Sequence, residues 1–278
     1  MALSCLVVVA DYQSPRTVDK IADQALTTGC GVHIVAKGAD GCRHSPVGAT
    51  CEEQPNLGDD AASATRYVWQ HYDELPDRLL FVPSSTKWAR LPAFRMMLSD
   101  VHSPEDSFKC LSMNAGQLGT LRRWSLDYYR SGGSTKGNLT LATPRPLGRW
   151  LAFHTRFDHQ DLSVPVCAHL LFLTSRSRLR ERTRKLYANL TLQLEAAPHT
   201  EATHYVERAV GAIFAGRRRW WNLFCGGEPL CPEAAAGHER GLLWWRQNIS
   251  IGIPPERCQA TRALECRRKD GTKYSCWC

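Results

Sequence analysis

The sequence predicts an α/β fold, a single domain with a mostly parallel central sheet flanked by helices in Rossmann-like fashion, plus a cysteine- and tryptophan-rich C-terminal tail. Three observations predict it. Leu3 to Ala10 is a nearly unbroken apolar run rich in valine, the composition of a strand covered on both faces. A stretch of helical periodicity from Arg16 to Thr28 follows, and after it comes a second short apolar run, Val32 to Val35. A β-α-β opening with short loops implies parallel strands and a right-handed crossover.

In the first helix Val18, Ile21, Ala22 and Ala25 fall at helical spacing, and Gly29 and Gly31 close it. The second strand ends at Lys37-Gly38. Residues 38–54 are polar, hold Cys42 and Cys51, and read as a surface loop that a disulfide can staple. Pro55-Asn56-Leu57-Gly58 leads into a helix in which Ala61, Thr65, Val68 and Tyr72 share one face. Asp59 and Asp60 stand in its first turn, where exposed N–H groups and the helix dipole favour carboxylates, and Asn56 is expected to fix the turn before it as a cap. Leu79 to Val82 reads as a third strand, ending at Pro83-Ser84-Ser85. Residues 86–157 read as loop-rich, with Ser131 to Gly137 as their most flexible piece. Cys167 to Thr174 is a fourth apolar run, Ser175 begins a long basic helix reaching Leu194, and Glu201 to Ala215 is another helix. The α/β domain is expected over residues 1–215, with residues 216–278 packed on it as an extension.

The formal net charge of +8 favours anionic partners. Arg176, Arg178, Arg180, Arg182, Arg184 and Lys185 form one basic cluster, but alternate positions do not share a helix face. That spacing argues for a helix with one wet side, and no nucleic-acid-binding motif accompanies it. No apolar run is long enough to span a membrane. Of 12 cysteines, six lie in the tail: Cys225, Cys231, Cys258, Cys266, Cys276 and Cys278. Their irregular spacing without a CxxC pair fits disulfides better than zinc, and so implies an oxidising compartment. Sequons at Asn138, Asn189 and Asn248 agree. The first ten residues lack the basic start of a signal peptide. The expected location is the secretory lumen or outside the cell, with the cytoplasm as the alternative.

Gly-x-Ser-x-Gly, the phosphate-binding P-loop and His-Glu-x-x-His are absent. His154 and His159, the nearest approach to a histidine pair, are off helical register for a shared metal. Four segments together carry a resemblance: the opening strand with its polar exit at Asp11; Pro55-Asn56-Leu57-Gly58 and the helix running to Tyr72-Asp73-Glu74-Leu75-Pro76-Asp77; the strand Leu80-Phe81-Val82; and Ala168-His169-Leu170 to Tyr187 with Glu207 to Phe214. Over residues 3–215 the chain resembles an uncharacterised domain family of fungi and algae whose members read VVARY, PNVGRE…YL, NYDNLPD…VFLQ and E…W…IF. That family is similar to glycosyltransferases of the GT-A type. The resemblance implies a nucleotide-sugar site at the carboxyl edge of the first strands, the edge where ligands sit on open parallel sheets generally.

The departures from that pattern bear on chemistry. The tract after the first strand reads Asp11-Tyr12-Gln13-Ser14, and Asp59-Asp60 replaces Arg-Glu after Gly58. Where a metal-binding Asp-x-Asp would follow the third strand stands Pro83-Ser84-Ser85, which offers no carboxylate to Mg²⁺ or Mn²⁺. No metal ligand is therefore assigned, and a divalent metal is doubtful. Glu207 is the candidate catalytic base, matched to the acid of the family's closing helix, although a helical Glu is ordinarily a solvated surface residue. Asp11 and Tyr12 are candidates for gripping the nucleoside, with Asn56, Asp59 and Asp60 beside them; Arg176 and Arg178 are candidates for the diphosphate. Two functions fit: a glycosyltransferase-like protein taking a nucleotide sugar and a glycan acceptor, and a non-catalytic carbohydrate- or protein-binding module on a degenerate glycosyltransferase-like fold.

Overall fold

A computed structural model describes residues 4–84, 92–103, 108–113, 123–126, 128–131, 134–155, 166–215, 264–267 and 273–276. The chain opens β1 (Cys5–Asp11), α1 (Pro15–Thr27), β2 (Gly31–Ala36), β3 (Thr50–Glu53), α2 (Asp59–Gln70), β4 (Arg78–Pro83). It continues α3 (Pro92–Asp100), β5 (Lys109–Met113), β6 (Tyr128–Ser131), β7 (Ser134–Asn138), α4 (Leu147–Thr155) and β8 (Val166–Ser175). The last helices are α5 (Arg176–Arg180), α6 (Arg184–Leu194) and α7 (Glu201–Phe214), and a hairpin β9 (Leu264–Arg267) and β10 (Lys273–Cys276) follows.

The fold is α/β, with a six-stranded sheet in the order β3-β2-β1-β4-β8-β5 flanked by helices. β1 to β4 are mutually parallel, whereas β8 runs antiparallel to both β4 and β5. The parallel centre explains why β1 reads as a valine run: Val7 and Val9 pack with Val18 and Ile21 of α1 and Met97 of α3, while Val8 packs on the other face with Ala61 and Val68 of α2. Both faces are covered, so no alternation with polar residues survives. The second face is the larger core, where Phe81, Phe172 and Phe214 stack between the sheet and α6 and α7.

Several expectations are corrected. Residues 38–54 are not one loop, because β3 lies within them as the parallel edge strand. Residues 86–157 hold α3, β5, α4 and the antiparallel pair β6–β7, so Ser131 and residues 134–137 of the piece read as flexible lie in paired strands. The basic helix from Ser175 to Leu194 is two helices. Thr183 starts the second as its N-cap, accepting a hydrogen bond from the Leu186 N–H, while Arg182 turns inward, 3% exposed, and donates to the Ala212 carbonyl. Tyr72 lies beyond the end of α2. The tail tryptophans, Arg217 to Arg219 and His159 lie outside the described residues.

Candidate functional site

The carboxyl ends of β1, β2, β3 and β4 form one edge of the sheet, and the turns leaving it are locked in sequence order. Lys37 N–H donates to the Asp11 carbonyl at 2.9 Å, Gln54 N–H to the Ala36 carbonyl at 2.9 Å and Ser84 N–H to the Ala10 carbonyl at 2.8 Å, each continuing its ladder by one residue. Among the described residues, the non-glycine positions in the left-handed region are Gln13 (φ 56°), Asp59 (φ 47°) and Leu170 (φ 56°). All three border this edge: Gln13 leaves β1, Asp59 opens α2 and Leu170 lies beside the end of β4. Such conformations cost of order 1 kcal/mol or more each and collect at ligand sites.

Asp11 is half-buried, and one of its carboxylate oxygens accepts the Ser14 N–H at 3.0 Å, which shapes the turn into α1. The ring of Tyr12 is 55% exposed, and its N–H donates to the Ser84 hydroxyl at 3.3 Å. Asp11, Gln13 and Gly38 line a small pocket of about 20 Å³ with Asp40, His44 and Ser45 of the following turn. A second pocket, of only about 10 Å³, lies between β1, β4 and α2, where Asp60 meets Val8, Ala10, Phe81, Pro83 and Leu170. Desolvation against those apolar walls pushes the Asp60 carboxyl up to about 7; the charge of Lys37 opposes the shift, and those of Asp59, Glu207 and Asp11 add to it.

Lys37, which sequence reasoning passed over, organises the edge. It is 6% exposed, and its ammonium donates to the Leu57 carbonyl at 2.8 Å and to the Asp59 carbonyl. Burial lowers its pKa, and the charges of Asp60 and Asp59 pull it back up. The ammonium thus pins the 57–59 turn to the end of β2. Gly58 (φ 65°) is the residue at the cap position of α2, with no side-chain cap, so Asn56 is exposed and does not cap as expected. A Cβ at Gly58 would stand 2.6 Å from Ala62 Cβ and 2.8 Å from the Leu194 carbonyl, so only glycine fits. A charged residue directly after an apolar parallel strand was the available signal for Lys37.

Glu207, on α7, pairs with His204 Nδ1 at 3.4 Å and Arg208 at 3.7 Å. It acts on the same carboxylates: the charges felt by Asp59, itself exposed, are those of Lys37, Glu207, His204 and His199. Asp11, Asp59 and Glu207 therefore all act on the Asp60 carboxyl through their charges. Arg176 and Arg178 do not join them. Both follow Ser175, which pairs with Arg78 at the amino end of β4, the opposite edge of the sheet. Arg176 is paired with Asp77 at 2.8 Å, and Arg178, 2% exposed, donates to the Ala215 carbonyl at 2.9 Å. They hold the α5 corner, a role that a basic run in sequence does not distinguish from anion binding.

No protein-family model matches the chain, and no curated protein matches it. Solved structures to which it is similar include mannosyl-3-phosphoglycerate synthase from Rubrobacter xylanophilus (12% identity, 75% of this chain and 73% of that one, TM-score 0.35). Glucosyl-3-phosphoglycerate synthase from Mycobacterium tuberculosis, in complex with Mn²⁺, uridine-diphosphate-glucose and phosphoglyceric acid, is another (12% identity, 98% and 86%, TM-score 0.34). A third is mannose-1-phosphate geranyltransferase from Thermus thermophilus (14% identity, 78% and 72%, TM-score 0.36). At this distance no residue role passes from them to this chain.

Proposed function

We propose that the carboxyl edge binds a nucleotide sugar and that the protein is a glycosyltransferase-like enzyme working without an Asp-x-Asp metal site. The observation that carries this reading is that Asp11, Asp59 and Glu207 all lie within electrostatic reach of Asp60, whose turn is pinned by the buried Lys37, with Gln13, Asp59 and Leu170 in the left-handed region around it. Ligands of open α/β sheets bind at this edge, and the sequence resemblance supplies the ligand class. In this reading the free oxygen of Asp11 accepts from the base or ribose, and the exposed Tyr12 ring gives a stacking face. Asp60 takes the acceptor's hydroxyl proton as that oxygen attacks the anomeric carbon and the bond to the nucleoside diphosphate breaks. A base works best with its pKa near the working pH, which suits Asp60 at about 7. Glu207, engaged by His204 and Arg208, is the second candidate.

One observation favours the binding-module reading. Ser84, where the first metal carboxylate would stand, is 4% exposed and accepts the Tyr12 N–H. No helix of the described residues is long and apolar enough to cross a membrane, and the disulfides Cys5–Cys30 and Cys42–Cys51 suit an oxidising compartment.

Thermal-shift titration with UDP, GDP and their sugars, with and without Mn²⁺, tests this. One nucleotide class is expected to raise the Tm without Mn²⁺, and Asp11→Ala to weaken binding by about tenfold or more, the loss of one charge-assisted hydrogen bond. No shift with any nucleotide sinks the reading, and binding without sugar transfer leaves the module.

A further inference from the structure

Away from the carboxyl edge, one group of side chains has the composition of a metal site. His33 of β2, Glu52 of β3 and His71 at the C-terminal cap of α2 bring one ligand atom each within 4.8 Å of one another. The other such grouping among the described residues, Cys5, Cys30 and His102, has both sulfurs committed to a disulfide.

The hydrogen bonds around His33 fix what its ring presents. Thr50 Oγ1 lies 3.3 Å from the Val32 carbonyl oxygen, which can only accept, so the hydroxyl proton points there. The same Oγ1 lies 2.9 Å from His33 Nδ1, a contact that Nδ1–H donates when the hydroxyl proton lies on the Val32 carbonyl. A neutral imidazole protonated at Nδ1 carries a bare lone pair at Nε2. His33 is 8% exposed, and its Nε2 is buried without a hydrogen-bond partner. That lone pair faces Glu52 Oε1 across 3.8 Å, beyond hydrogen-bond length. A lone pair opposite a carboxylate is repulsive, and a cation held between them removes the conflict.

The surroundings suit a cation. His71 stands at the C-terminal end of α2, whose last carbonyls carry the negative end of the helix dipole. Its ring stacks on Tyr67 with centroids 4.5 Å apart, and His33 lies 5.0 Å from the same Tyr67 ring. The phenol thus steadies His71 through its face and meets His33 at a tilt, a contact that uses none of their nitrogens. Gln54 Nε2 donates to Glu52 Oε1 at 2.5 Å and orients the carboxylate.

We propose that His33 Nε2, an imidazole nitrogen of His71 and the Glu52 carboxylate form a binding site for a divalent transition cation of the zinc class. Two imidazoles and one carboxylate are a donor set that Zn²⁺ accepts, with a fourth position left for water. Thr50 is the outer partner that fixes the His33 tautomer. The site lies at the opposite end of α2 from Asp60 and does not depend on what binds there. Its direct effect is to join the edge strand β3 to β2 and to the end of α2.

The test uses the full chain, stripped with a chelator and titrated calorimetrically with Zn²⁺, and with Co²⁺ followed by visible absorption. One equivalent of Zn²⁺ is expected at this site, with Co²⁺ giving d–d bands of nitrogen and oxygen coordination and Zn²⁺ raising the Tm. Glu52→Gln and His71→Ala change partly exposed positions, so the fold is expected to survive, as far-UV circular dichroism would show. Each should lose that equivalent, the bands and the Tm gain, while Thr50→Val should weaken Zn²⁺ binding by roughly 10–100-fold. Absence of Zn²⁺ binding, or a stoichiometry that neither ligand variant changes, overturns the proposal and leaves a proton on His33 as the charge facing Glu52.

Discussion

Asp60 stands where two demands on a carboxylate conflict. In the first turn of α2, unpaired N–H groups and the helix dipole favour the anion. The apolar walls of β1 and β4 oppose it, the charge of Lys37 works against them and those of the neighbouring acids add to them, and the carboxyl holds its proton up to about 7. An unfolded aspartate titrates near 3.9. Between about pH 4 and 7 this carboxyl therefore keeps a proton that the unfolded aspartate has lost, and its contribution to stability falls as pH rises through that window. Asp60→Asn imitates the protonated form. It is expected to match the parent below pH 4 and to exceed it by about 2 kcal/mol at pH 8, less than the full 1.4 kcal/mol per pKa unit because the carboxyl is partly exposed. Urea melts at the two pH values measure this, and equal gains at both would remove the burial explanation. If Asp60 is the proton acceptor, the same variant is expected to abolish transfer while nucleotide affinity stays within a few-fold.

At the scale of elements, the break between α5 and α6 shows what periodicity can and cannot say. The hydrophobic positions Leu179, Leu186 and Leu190 continue through Glu181 to Thr183 as though one helix ran on. Tertiary contacts decide otherwise: Tyr72 donates its hydroxyl to the Arg182 carbonyl, and Arg182 itself reaches α7. The Tyr72-to-Asp77 motif is likewise structural. Asp77 accepts from both the N–H and the hydroxyl of Ser4 at 2.9 Å, and Arg184 reaches Asp73 at 3.1 Å. Thr183→Ala removes the cap of α6 and should cost about 1 kcal/mol in urea denaturation with no change in nucleotide affinity. A loss of affinity instead would tie this corner to the ligand edge. The elements most legible in sequence are those buried on both faces, β1, β2 and β4, because burial on two sides leaves runs that are mostly apolar, with His33 and Arg78 as the buried polar exceptions. β3, reading Thr50-Cys51-Glu52-Glu53, is a half-exposed edge strand and carries no such signal. The direction of β8 is invisible as well, since an apolar run reads alike either way. For the site, Asp11, Asp59, Asp60 and Glu207 are legible from strand exits and resemblance. Lys37 acts through its chain folding back on a turn, which no spacing encodes. His33 left a trace, a single imidazole inside the apolar run of β2, but its partners lie 19 and 38 residues away.

Across the whole molecule, two disulfides tie the amino-terminal strands of the sheet together. Cys5 begins β1 and Cys30 precedes β2, so their bond closes the β1-α1-β2 crossover with a sequence separation of 25. Cys42 and Cys51, separated by 9, tie the turn after β2 to β3, the edge strand that has a neighbour on one side only. Chain entropy makes the longer loop the more stabilising, about 3.5 kcal/mol against about 2.6 kcal/mol. Replacing Cys42 and Cys51 by serine should therefore lower stability by roughly 2–3 kcal/mol, and the loss should appear first as faster amide exchange in β3 while β1 and β4 stay protected. Reduction of both bonds should cost more than either substitution alone. Peptide mapping under non-reducing conditions supplies the companion measurement: the pairs Cys5–Cys30 and Cys42–Cys51 are expected, and four free thiols at these positions would remove both the stabilisation and the argument for an oxidising compartment. Because β3 also carries Glu52, the serine variant reads on the cation site too. Its Zn²⁺ affinity should fall with the loosening of β3.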